Sequence, residues 1–378
     1  MSATVTSAFR RSPALPRGFV REDDVYLLPA GLVAGEQAAA AVIGGHGWPI
    51  ADGALAFTSA GLIWREGGEA WIALAPYAEL VNWAEAEGEE MARHVGRTVR
   101  RIGGKRRPWA GLSLERPRIM GVVNATPDSF SDGGRNLVAQ TAIANALAMV
   151  ESGADIIDVG GESTRPGAQP VPVDEEINRV LPIITALAEW NVTVSIDTRH
   201  APVMEAAMAA GAKIINDVTA LEGAGAVQVA AKTGAAVIVM HMQGQPQTMQ
   251  ADPRYACAPL EVYDYLAARV AACEAGGISR ERIMVDPGIG FGKNLSHNAQ
   301  ILATLPLLHG LGCPVLLAAS RKTFVSQLSQ GEPPTQRLPG TLAAHLAGLN
   351  AGVQALRVHD VAETVQALKV WRALSAAG

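Results

Sequence analysis

The sequence predicts an α/β protein: a (β/α)8 TIM barrel preceded by a small α+β N-terminal domain. Three observations carry this expectation. From Ile119 onward, a short apolar run, a polar or glycine-bearing exit and an Ala-rich helical stretch recur eight times, the count and size of a barrel of about 250 residues rather than of a doubly wound sheet. The runs are continuously apolar instead of alternating, as parallel strands covered on both faces are. Each run also finishes on a polar residue or glycine, and a barrel gathers the C-terminal ends of its strands at one mouth, where active sites are built.

Taken in order, residues 1–20 read as a flexible N-terminus. MSATVTSAFRRSPALPRGFV has Ser, Thr and Arg and no acid before Glu22, a composition shared with organellar transit peptides. It lacks the apolar core of a secretory signal, and a frayed bacterial N-terminus is the preferred reading. Residues 21–102 form the small α+β domain, of unknown role: VYLLPAGLV, an Ala-rich stretch, the hairpin-like LAFTSAGLIWREGGEAWIAL and a charged helix, YAELVNWAEAEGEEMARHVGRTVRRI. The Gly/Pro/basic stretch GGKRRPWAG opens a linker over 103–115. The basic run Arg97 to Arg107 is read as a solvated helix end rather than an anion site.

Residues 116–378 are the expected barrel. Its strands are RIMGVVN (118–124), IIDVGG (156–161), TVSID (193–197), IIND (214–217), AVIVMH (236–241), IMVDPG (283–288), VLLAAS (315–320) and ALRVHD (355–360). Amphipathic stretches such as VAQTAIANALAMVESGA and EVYDYLAARVAACEAGG separate them, each closing on a glycine suited to a helix C-cap.

Composition narrows the function classes. With 378 residues, 49% of them hydrophobic and 18% charged, the chain has material for a large core. A net charge of -5 gives no reason to expect nucleic acid or an anionic membrane as partner. Cys257, Cys273 and Cys313 have neither paired nor CxxC spacing, which fits a reducing cytoplasm without a disulfide framework or zinc site. No run is long and apolar enough for a membrane span. The expected partners are small-molecule substrates, and the expected assembly is a homodimer.

The strand ends supply the chemistry. Asp197, Asn216 and Asp286 offer carboxylates and an amide to a flat heterocycle bearing several N–H donors, and Lys322 adds a cation beside them. Arg357, His359 and Asn124 offer donors for an oxyanion and an amide oxygen for magnesium. His241, His345 and Asp217 are read as structural and Lys293 as a surface charge, so these four stay outside the site. No serine or cysteine triad pattern is present.

From about Arg116 the sequence resembles the dihydropteroate synthase family. The stretches that carry the resemblance are NATPDSFSDGG (124–134), GGESTRPGA (160–168), SIDT (195–198), IND (215–217), MHMQGQPQTMQ (240–250), DPGIGFGK (286–293), SRK (320–322) and RVHDV (357–361). The resemblance implies a barrel that joins 6-hydroxymethyl-7,8-dihydropterin pyrophosphate to para-aminobenzoate with magnesium. It implies that Asp197, Asn216, Asp286 and Lys322 hold the pterin and that Asn124 ligates the metal. Arg357 and His359 are implied to hold pyrophosphate, Thr164, Arg165 and Ser320 to receive para-aminobenzoate, Phe130 and Asp132 to close over it, and Phe291 to line the site.

Breaking the C–O bond to pyrophosphate leaves a carbocation that water also attacks, so the loops NATPDSFSDGGR and GGESTRPGAQPVPV are expected to act as lids. Ala318 and Ser326 stand where the family commonly has glycine. The rival readings are a methyltetrahydrofolate:corrinoid-type methyltransferase, which needs neither the pyrophosphate clamp nor the STRPGA loop, and an inactive pterin-binding regulatory barrel.

Overall fold

The structure, a computed structural model, describes residues 5–18, 21–125, 135–162, 170–245 and 248–377. The N-terminal region contains a five-stranded sheet: β1 (Arg10–Arg11), β2 (Val25–Ala34), β3 (Trp48–Ile50), β4 (Leu55–Glu66) and β5 (Glu69–Pro76). The long strand β4 lies at its centre, antiparallel to β2, β3 and β5. Gly67 and Gly68, both at positive φ, form the two-residue turn between β4 and β5, the conformation that glycine supplies in tight hairpins. Helices α1 (Gly35–Ile43), α2 (Tyr77–Ala86) and α3 (Glu89–Gly103) complete the domain. The single helix expected over 77–102 is therefore two, because Gly88 sits at φ 118, outside helical space.

Strand alternation gives this sheet two buried faces. Val25, Leu27, Leu62 and Trp64 pack against Leu80, Trp83, Met91 and Val95 of α2 and α3. Tyr26 and Ile63 point the other way and join Leu260 and Leu307 of the C-terminal domain. A polar clamp reinforces that contact: Tyr26 Oη donates to Asp264 Oδ1 at 2.9 Å, and Arg65 reaches Asp264 Oδ2 at 2.6 Å.

The C-terminal domain alternates strand and helix: β6 (Arg118–Asn124), α4 (Arg135–Glu151), β7 (Ile156–Gly160), α5 (Val173–Glu189), β8 (Val194–Asp197), α6 (Ala201–Ala209), β9 (Ile214–Asp217), α7 (Ala226–Thr233), β10 (Ala236–Met240), α8 (Ala258–Ala275), β11 (Ile283–Asp286), α9 (Leu295–Ala303), β12 (Leu316–Leu317), α10 (Thr323–Leu328), α11 (Leu338–Asn350), β13 (Ala355–Val358) and α12 (Val361–Ala377). All eight strands are parallel, in the order β11-β10-β9-β8-β7-β6-β13-β12. A bridge between Val285 and Val315, with Val285 N–H donating to Pro314 O at 2.9 Å, joins the two ends and closes the ring. This is the expected TIM barrel. Three strands end where the expected runs do, β7, β10, β11 and β13 end one or two residues earlier, and 315–320 shrinks to β12, because at those exits the chain turns out of the ladder to face the mouth.

The stretch 103–115, expected as a linker, is packed. Trp109 is 1% exposed and sits among Met120, Ile156, Ile214, Ile238, Met284, Leu316 and Ala355 at the N-terminal ends of the strands. Its Nε1 donates to Arg282 O at 2.9 Å. The indole thus plugs the barrel floor, the end opposite the mouth. Arg106 is also buried, donating to Arg101 O and Gly104 O. The N-terminal domain contacts the barrel through α3 and β2 against the 3-10 turn Leu305–Leu311 that precedes β12, through β2 and β4 against the first turns of α8, and through α1 against α12.

Candidate active site at the barrel mouth

Strand register builds one side of the mouth. Asn124, Gly160, Asp197 and Asn216 are successive partners across β6, β7, β8 and β9, so the side chains of Asn124, Asp197 and Asn216 project at one level of the barrel. Asp286 ends β11 opposite Met240. Asp158 lies one inward-facing position below, wholly buried.

Arg357 ties these groups together. Its Nε donates to Asp158 Oδ2 at 2.6 Å and its Nη2 to Asp197 Oδ2 at 2.7 Å. Asn216 Nδ2 donates to the same Asp158 oxygen at 3.0 Å. Asp158 Oδ1 is buried with no partner among the described residues, and a buried carboxylate oxygen without a donor is costly until one arrives. Burial pushes the Asp197 carboxyl up to about 7 against the pull of Arg357, with the Asp158 charge adding to the rise. Burial also raises Asp286, whose Oδ1 accepts from Gly288 N–H at 2.7 Å. Arg357 stays charged: burial opposes its charge, but Asp158 and Asp197 more than compensate.

The exits of β12 and β13 form the other side. The Ser320 hydroxyl accepts from His359 N–H at 3.2 Å and lies 3.0 Å from His359 Nδ1. Burial, then the charges of Arg357 and Arg321, lower His359 to about 4, so at neutral pH it offers a hydrogen bond rather than a positive charge. Arg321 holds a left-handed φ of 57°, rare for a residue with a side chain. Three interactions keep it there: its N–H donates to Thr341 Oγ1, its carbonyl accepts from Arg337, and its guanidinium pairs with Asp360. This turns Ser320 and Lys322 into the mouth. Lys322 Nζ stands 4.2 Å from the Phe291 ring centroid, a cation–π contact.

The structure thus brings Asp197, Asn216, Asp286, Phe291, Ser320, Lys322, Arg357, His359 and Asn124 to one end of the barrel. Phe130, Asp132, Thr164 and Arg165 lie outside the described residues, as do the central parts of both expected lids. At the base of the second loop, Glu162 accepts from Arg199 Nε at 3.0 Å and from Val171 N–H at 3.2 Å, holding both flanks of 163–169. Ala318 is buried in the barrel wall, and Ser326 Oγ donates to Thr323 O, so the hydroxyl at that position is satisfied within α10.

Two residues differ from the sequence reading. Asp158 was absent from it, although an acid inside the apolar run IIDVG is the signal that finds it. Lys293 is not a surface charge: it is 2% exposed, with its Nζ 2.9 Å from His241 Nδ1. Asp217 is structural as expected, accepting from Thr219 and Leu221 N–H.

A family profile described as pterin binding enzyme matches residues 120–359. The dihydropteroate synthase of Escherichia coli K12 is 46% identical over 260 residues, covering 68% of this chain and 92% of its own. A structure of Xanthomonas albilineans dihydropteroate synthase with 4-aminobenzoic acid is 48% identical, with a TM-score of 0.67, over 71% of this chain and 97% of that one. A structure of the same enzyme with 7,8-dihydropteroate is 46% identical with a TM-score of 0.65, over 70% and 96%. This chain belongs to the dihydropteroate synthase family. Within that family the mouth described above occupies the matched segment, whereas the N-terminal sheet and the Trp109 plug precede it. As a dihydropteroate synthase the chain is a transferase, and the regulatory-barrel and corrinoid-methyltransferase readings lose their ground.

Proposed function

We propose that the mouth joins 6-hydroxymethyl-7,8-dihydropterin pyrophosphate to para-aminobenzoate, releasing pyrophosphate and 7,8-dihydropteroate. The observation that carries this reading is the set of acceptors Asp158, Asp197, Asn216 and Asp286 gathered around Arg357. A pterin edge is rich in N–H donors, and it supplies what the unpartnered Asp158 Oδ1 and the ionised form of Asp197 require. With the ring so held, carbon–oxygen bond breaking leaves positive charge on the dihydropterin, which the Asp197 or Asp286 carboxylate stabilises. His359, neutral, donates a hydrogen bond to the departing oxygens, and Arg357 provides charge beside them.

Asn124, at the same level as Asp197, presents an amide oxygen, and magnesium is commonly held by one or two protein oxygens with phosphate and water completing its shell. Asn124 would supply one such oxygen, and the ion when bound would neutralise charge on the leaving group. Thr164, Arg165 and Ser320 are assigned to para-aminobenzoate, with Phe130 and Asp132 closing over it, by the family resemblance. Among the described residues no helix is long and apolar enough to cross a membrane; a cytoplasmic homodimer completes the proposal. The test mixes purified protein with both substrates and magnesium and identifies product by mass. Dihydropteroate is expected, and a folded protein that forms none overturns the reading.

A further inference from the structure

Beside the acceptor set lies a second buried cation that the reaction scheme leaves unused. Lys293 closes the loop that leaves β11, and its side chain folds back beneath that loop. Its Nζ donates to Gly288 O and Phe291 O, each at 2.9 Å, and to His241 O at 3.2 Å, and it lies 2.9 Å from His241 Nδ1. Four acceptors therefore surround three N–H groups. Burial lowers the His241 imidazole to about 2, so it is neutral and its Nδ1 accepts. Burial draws the ammonium of Lys293 down to about 7, and the charge of Asp286 works against that pull.

The backbone wraps this ammonium closely. Gly288 and Gly292 sit at φ 66° and 59°, and a Cβ on them would lie 1.9 Å from His241 O and 2.3 Å from Gln243 O. Only glycine permits this approach of the loop to the exit of β10. Tyr255 Oη donates to Gly292 O at 2.7 Å, and Gly290 N–H donates to Asn298 Oδ1 at 2.7 Å, fixing the outer turn. The two residues that this wrap presents to the mouth are Asp286, oriented by Gly288 N–H, and Phe291, whose ring meets Lys322.

We propose that Lys293 is a positioning residue of the pterin subsite: its ammonium holds the 286–293 loop in the form that aims the Asp286 carboxylate and the Phe291 ring at the substrate. The inference rests on the pterin reading above. Lys293 contacts no reacting atom. Without its ammonium the carbonyls of Gly288, Phe291 and His241 lose their shared buried donor, and the loop relaxes away from the geometry that pterin binding needs.

The test is Lys293→Met, which keeps the length of the side chain and removes its charge. The KM for the pterin pyrophosphate is expected to rise about tenfold, kcat at saturating pterin to fall by less than about threefold, and the KM for para-aminobenzoate to hold. A residue that only stabilises the fold lowers the active fraction, and hence apparent kcat, at unchanged KM; that pattern, or wild-type constants, overturns the proposal. Should Lys293→Met fail to fold, His241→Phe removes one acceptor of the same cage while filling its volume. It is expected to raise the pterin KM about threefold, and a wild-type KM there overturns the proposal. Calorimetry of the pterin pyrophosphate with wild-type protein separates the two levels. No binding overturns the pterin reading and this inference with it, whereas wild-type binding with an unaltered variant KM overturns this inference alone.

Discussion

Asp158→Asn probes the centre of the mouth. The carboxylate is fully buried, and its Oδ2 accepts from Arg357 at 2.6 Å and from Asn216 at 3.0 Å. Breaking a buried ion pair by removing one partner costs about 3–5 kcal/mol. Here Arg357 keeps Asp197 at 2.7 Å, and the new amide oxygen retains one of the two bonds. The expected loss is therefore nearer that of one hydrogen bond to a charged group, about 2 kcal/mol. The substitution also removes a negative charge that helps hold Asp197 above its ordinary range, so the Asp197 pKa falls. Urea unfolding should show a lower midpoint with an unchanged slope. The acid limb of kcat/KM for the pterin substrate, set by ionisation of Asp197, should move to lower pH. Stability within about 0.5 kcal/mol of wild type together with an unmoved acid limb would refute the Arg357-centred network.

Three further outcomes follow from the same structure. Trp109→Ala empties the barrel floor and should cost about 3–5 kcal/mol in chemical denaturation, while the KM values of the remaining folded protein stay near wild type. Asp197, raised from 3.8 to about 7 by burial, keeps a proton in the fold that the unfolded chain has released; that contribution is complete below about pH 4 and lost as pH rises through about 7. Melting temperature should decline across that window, and Asp197→Asn should flatten the decline. Asp360→Asn weakens the clamp on the strained Arg321 turn and should raise the KM for para-aminobenzoate, with the pterin KM unaltered, because Ser320 immediately precedes Arg321 and is set by that turn.

The barrel was legible because its signals are local. Continuous apolar runs mark strands buried on both faces, and polar strand ends mark the mouth, which is why Asp197, Asn216, Asp286 and Arg357 stand out. What escaped depends on contacts distant in sequence. Asp158 sits inside an apolar run and gains its meaning only when β13 brings Arg357 beside it. Lys293 looks solvated among loop residues until the glycines fold the chain back over His241. Trp109 lies in a polar stretch, and only closure of the ring provides the apolar floor that buries it. Gly88 breaks a helix that charge pattern alone extends, because a backbone angle rather than a side chain ends it. The truncation that tests the N-terminal domain must accordingly begin before Trp109, near residue 104, since a later start also opens the barrel floor.

The most direct test of the central claim is the stoichiometry of pyrophosphate release, measured with and without para-aminobenzoate on the full chain in the presence of magnesium. With the amine, pyrophosphate release is expected to be equimolar with the 7,8-dihydropteroate formed and to be lost in Arg357→Ala while the variant remains folded; without it, no dihydropteroate forms. Pyrophosphate released with saturating amine and no matching dihydropteroate, or an Arg357→Ala variant of undiminished rate, would contradict this.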